Sequence, residues 1–114
     1  MPRKAKTVPA APPAARPLPD ELTIYTVGEL HRQWLDWIAT LPADGAVAAL
    51  AAHAVDQVDA AGLQLLVSLD SALARRGAAL TLQDPSSTLV DGCHAMGLGA
   101  WLQTRTQAAT GAKA

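Results

Sequence analysis

Residues 22 to 27 alternate Leu22, Ile24 and Thr26 with Thr23, Tyr25 and Val27. β-branched and aromatic residues at this density and period predict a strand. From Val27 the period changes. Val27, Leu30, Trp34, Ile38 and Leu41 fall at steps of three or four, which makes one apolar stripe of a helix with Leu35 and Trp37 at its margins. His31, Arg32 and Asp36 lie outside the stripe, and Arg32 and Asp36 are spaced to pair. Thr26 and Glu29 have capping-box spacing, and Pro42 and Gly45 close the helix.

The next segment, "GAVAALAAHAV", is rich in alanine, which favours helix. Its position argues otherwise: it is short, follows a turn and lies between two helical patterns, so residues 46–52 are expected to form a buried strand. "DAAGLQLLVSLDSALARRG" then predicts a long helix, with Asp59 as N-cap and Gly77 as the residue that stops it. Leu65, Leu66, Leu69, Ala72 and Leu73 take its core face, and Gln64, Ser68, Ser71 and Arg75 its outer face. "AALTLQ" predicts a strand. "DPSSTLVDGCHAMG" predicts a turn and a short helix capped by Ser86 or Ser87, and "LGAWLQ" a last strand or half-turn. Helices that alternate with strands imply an α/β fold with parallel pairs in its sheet.

Composition narrows the picture. The 114 residues suit one domain, and half are apolar, with three Trp, one Tyr and no Phe, so the core must be built from Leu, Val and Ala. The net charge of −1 is unevenly spread. Residues 1–17 hold Arg3, Lys4, Lys6 and Arg16 and no acid, whereas the remainder sets ten acids against five bases. Such a body does not suit nucleic acid. Six of the eight prolines fall within residues 1–19, and this composition predicts a flexible basic tail over 1–17. That tail is either a plain solvated arm or an electrostatic tether. Residues 105–114 are expected to form a disordered C-terminal tail. A lone cysteine, Cys93, makes no internal disulfide and suits a reducing cytoplasm. No apolar run approaches the roughly 18 residues of a membrane span, and no apolar stretch of a secretory signal follows the basic start.

The ordered set "ELTIYTVGEL", "VDAAGLQLL", "ARRGAALTLQDPSSTL" and "HAMGLGAWL" resembles the STAS family, which includes the anti-sigma factor antagonists. The likeness covers residues 18–104. It implies a single STAS-like α/β domain, a mixed four- to five-stranded sheet with helices packed on one side. It also implies a regulatory interaction module with no catalysis and no cofactor. In the phosphorylated antagonists a Ser or Thr stands in the small pair between the Asp and the Gly. Here Ala60 and Ala61 occupy those positions, and neither has a hydroxyl to accept a phosphate. The family's strand Asp is also missing, since Leu50, Ala51, Ala52 and His53 stand there. In these respects the chain is similar to STAS domains of the lipid-transport accessory type and to those of chemotaxis gene clusters. The resemblance implies a protein partner: a sensor kinase, an anti-sigma factor or, as the alternative, the ATPase of a lipid ABC transporter.

The residues expected to bind that partner are Asp56, Asp59, Ala60, Ala61, Gly62, Gln64 and Ser68. A helix N-terminus offers free N–H groups, and a glycine admits close approach of another backbone. A plainer reading stands beside this one, in which Asp59 only caps its helix and Gly62 only packs. A nucleotide-binding regulator or small enzyme is the reading from another class. It suffers from two aspartates and no lysine beside the helix end. His31, His53 and His94 are scattered, and adjacent Cys93 and His94 point roughly 100° apart on a helix, so no metal site is expected. Trp34 suits the core, Trp37 its rim, and Trp101 either the core or a partner.

Overall fold

The structure, a computed structural model, describes residues 15–42 and 45–107. Its elements run β1 (Arg16–Pro17), β2 (Glu21–Leu22), α1 (Val27–Thr40), β3 (Val47–Ala51), β4 (Gln57–Val58), α2 (Ala60–Arg75), β5 (Ala79–Gln83), α3 (Ser87–Ala95), α4 (Gly99–Arg105) and β6 (Thr106–Gln107). This is an α/β fold. Four strands pair in the order β1-β3-β5-β6, and β2 and β4 form a separate two-stranded sheet. The centre of the larger sheet is the β3–β5 pair, in register from Val47 opposite Ala79 to Ala51 opposite Gln83. Every pairing among the described residues is parallel, where the resemblance implies a single mixed sheet.

The alanine-rich segment is a strand, as its position predicts. Ala48, Ala49 and Leu50 are all buried, the unbroken apolar run of a strand covered on both faces. Burial overrides alanine's helical preference. The long helix α2 also follows the sequence. Asp59 Oδ1 accepts the Gly62 amide at 3.0 Å. At the other end Gly77 turns left-handed, with φ at 77°. Its amide and that of Ala78 return to the carbonyls of Ala74 and Leu73, so the helix is closed by a Schellman motif. Leu63, Leu66, Leu69 and Leu73 of α2 meet Leu30 and Trp34 of α1 and Leu50, Leu80 and Leu82 of the sheet in one core. A fully buried leucine contributes about 1.5–3 kcal/mol. Leu65 and Ala72, expected in that core, are half-buried, and Leu63 takes the place that the sequence pattern did not assign it. Between Ser86 and Ser87, the cap of α3 is Ser86, which accepts the Leu89 amide and donates to the Val55 carbonyl.

Five expectations change. The strand expected over "ELTIYTV", residues 21–27, shrinks to Glu21–Leu22, and residues 23–26 turn. The Thr23 amide goes to Thr26 Oγ1, and the amides of Thr26 and Val27 go to the Thr23 carbonyl. Side-chain and turn bonds thus outcompete the ladder. The same bonds remove the capping box. Thr26 stands at the N-cap of α1 but makes no side-chain cap bond, and Glu29 pairs with Arg32 and Gln33. Arg32 therefore pairs with Glu29 and not with Asp36.

The segment "LGAWLQ", expected as a last strand or half-turn, lies mostly in helix α4. Trp101 and Arg105, one helical turn apart, both bond Asp70 of α2; in a strand the two would stand about 13 Å apart along one face, too far to share a carboxylate. The domain also reaches past the expected limits of 18 and 104. Arg16 and Pro17 pair with Leu50 and Ala51, and the Arg16 guanidinium lies 5.2 Å above the Trp37 ring. Thr106 and Gln107 pair with Leu82 and Gln83. Pro17 is tolerated because β1 is an edge strand. The rest of the two expected tails, residues 1–14 and 108–114, lies outside the described residues.

Candidate partner-docking site

The turn 23–26 and the start of α2 meet because Asp59 joins them. Its backbone amide donates to the Leu22 carbonyl at 3.2 Å. Its carboxylate accepts Gly62 on Oδ1 and the Ile24 amide on Oδ2, each at 3.0 Å. These hydrogen bonds, that from Ile24 first, hold the Asp59 carboxyl below the usual aspartate range. The group is thus an ionised acceptor with both oxygens engaged, which does not suit a general acid. An anion arriving at this helix end would meet that carboxylate, so the arrangement disfavours phosphate or nucleotide there.

The turn held in this way presents two apolar side chains to solvent. Ile24 is 59% exposed and Tyr25 88%. Neither was among the expected site residues, because a strand pattern hides one face of each alternating pair. The spacing Thr23-x-x-Thr26 is the sequence signal that could have revealed a turn.

The expected residues divide. Asp56 and Ala60 are exposed, and Ala61 is half-buried. Gly62 is buried, and the backbone that approaches it is the chain's own: a Cβ at 62 would lie 1.9 Å from the Leu22 carbonyl oxygen. Asp59 caps the helix and ties down the turn. Gln64 and Ser68 lie on the exposed face of α2 and line a groove of 300 Å³ with Leu63, Val67, Met96 and Leu98. Ser68 also borders a second groove of 200 Å³ between α1 and α2, together with His31, Leu35, Leu65 and Arg75. Of the residues expected to dock a partner, Ala60, Gln64 and Ser68 stand four apart on one exposed face of α2, and the Ile24 amide is bonded to Asp59 at the start of that helix, whereas Tyr25 borders a groove with Arg16, Glu29 and Gln33.

Other candidate chemistry is placed apart from this strip. Trp101 is half-buried and donates its Nε1 hydrogen to Asp70 at 3.0 Å. Cys93 is buried in the core, and burial pushes its thiol up. Among the described residues no group of three or more His, Cys, Asp and Glu side chains could hold a metal ion. No helix among them is long and apolar enough to cross a membrane.

The chain matches no family model, no curated protein and no solved structure.

Proposed function

We propose that this chain is a non-catalytic regulatory interaction module of the STAS type, a cytoplasmic domain that docks one protein partner constitutively through the N-terminal end of α2. The partner class we favour is a sensor kinase or an anti-sigma factor. The ATPase of a lipid transporter is the alternative from the same family resemblance. One observation carries the reading. Asp59, the N-cap of α2, ties to the start of that helix the turn that carries the exposed Ile24 and Tyr25, and the first helical residue, Ala60, is exposed as well. Large exposed apolar side chains beside a rigid helix end suit a protein interface. Where the phosphorylated antagonists have a hydroxyl, Ala60 and Ala61 have none, so docking here is not switched by phosphate at these positions.

A photo-crosslinking amino acid at position 60, with a control at exposed Asp84 on the turn after β5, tests this in a lysate of the source organism. The proposal expects one protein of the named classes to be captured from position 60 and not from 84, and mass spectrometry to find no phosphate within residues 56–64. Equal capture from both positions, or capture of none, would refute it.

A further inference from the structure

The β2–β4 pair also sets the charge of this surface. Its register places Glu21 opposite Gln57. The Asp20 carbonyl accepts the amides of Asp56 and Gln57 at 2.8 and 3.1 Å. Asp20, Glu21, Asp56 and Asp59 are therefore gathered around the turn that carries Ile24 and Tyr25. The ion pairs formed among the described residues, Arg32–Glu29 and Arg105–Asp70, involve none of the four. Asp20 and Asp56 are exposed. Like charges gathered in one place, with no ion pair to any of them among the described residues, produce a negative potential that selects what approaches. This potential repels phosphate-bearing surfaces, both nucleic acid and acidic lipid.

We infer that this surface docks a basic segment of a partner protein, in which Lys or Arg side chains flank an apolar anchor. The anchor packs on Ile24 and Tyr25 while the basic groups face Asp20 and Asp56. The inference rests on the docking reading above and adds to it the partner's chemistry. Rim charges of this kind act chiefly on association rate and partner choice, and the apolar contact holds the complex.

Backbone amide shifts of the full chain, followed by NMR, test it with three synthetic peptides of equal length: alternating Lys and Leu, alternating Lys and Gly, and alternating Glu and Leu. The Lys–Leu peptide is expected to shift Ile24, Tyr25, Asp56 and Gln57. The Lys–Gly peptide should bind about tenfold more weakly, and the Glu–Leu peptide should leave these amides in place. Asp20→Asn combined with Asp56→Asn should weaken Lys–Leu binding about tenfold and flatten its dependence on salt. Both side chains are exposed, so the remaining amides should keep their positions.

Comparable binding of the Glu–Leu peptide, shifts confined to another surface, or indifference to the double substitution would overturn the inference. So would movement of the Ile24 and Tyr25 amides on Lys4→Glu with Lys6→Glu in the absence of peptide, because the chain's own basic arm would then be the occupant. If position 60 captures a partner but the peptides show no preference for Lys, the docking site stands and only the basic chemistry falls. If both experiments fail, the docking reading falls with it.

Discussion

Gly62 of α2 lies directly against the backbone carbonyl of Leu22, so close that a Cβ at 62 would stand 1.9 Å from that oxygen. The contact seats the two-stranded β2–β4 sheet on the first turn of the helix. With the bonds of Asp59 to Leu22 and Ile24 it ties the turn 23–26 to the start of α2.

Gly62→Ala is expected to destabilise the fold by about 3 kcal/mol, near the top of the range for overpacking, because the obstacle is backbone and cannot rotate away. Alanine's better helix propensity returns only about 0.5–1 kcal/mol. Gly28→Ala is the control: it lies in the first turn of α1 with nothing within 4 Å of its Cβ position. That change should be neutral or mildly stabilising. Urea unfolding of both variants measures the contrast, and equal midpoints would show that the close approach is not rigid.

Asp70 takes two hydrogen bonds from Arg105, both at 2.9 Å, and one from Trp101. The Arg105 hydrogen bond is the main reason its carboxyl is held below the usual aspartate range, and burial opposes it. Asp70→Ala should cost about 1–2 kcal/mol, the lower part of the range for bonds to charged groups because Arg105 is partly exposed. A depressed folded pKa stabilises above the unfolded value and loses that contribution as pH falls through the folded one. The stability gap between wild type and variant should therefore stay constant above about pH 5 and close below about pH 4. Thermal melts with tryptophan fluorescence as readout follow it. A gap that persists unchanged to low pH would count against the ion pair.

Cys93 should be inert in the native state. Its side chain is buried and its thiol is pushed up by desolvation, so little thiolate exists at neutral pH. A chromogenic disulfide reagent should react slowly with the folded chain and stoichiometrically in denaturant. Fast native reaction would mean that α3 opens readily.

Ala60→Arg should fold normally and lose partner capture. The residue is exposed in the first turn of α2, where a cation is mildly unfavourable, by about 0.3–1 kcal/mol. Its bulk and charge would stand on the proposed docking surface at the start of α2. Circular dichroism checks the fold, and crosslinking from Gln64 checks the docking. Undiminished capture would move the interface elsewhere.

The strongly periodic elements were legible in the chain. Helices α1 and α2, the cap at Asp59 and the stop at Gly77 follow from local rules that any long amphipathic helix obeys. The buried strand over 47–51 followed from position, although its residues prefer helix. The sequence by itself also determined that no hydroxyl stands between Asp59 and Gly62, a matter of composition that folding cannot change. What only the tertiary structure decided were the places where a local preference meets a distant partner. Asp59 captures the Ile24 amide 35 residues away and turns an expected strand into an exposed apolar turn. Asp70 takes bonds from Trp101 and Arg105 on one helical face, in a helix where a strand or half-turn was expected. Leu22 claims the space above Gly62, so the glycine expected to admit a partner's backbone admits the chain's own. Each of these depends on groups far apart in sequence, and pattern reading within a short window carries no information about which distant group will arrive.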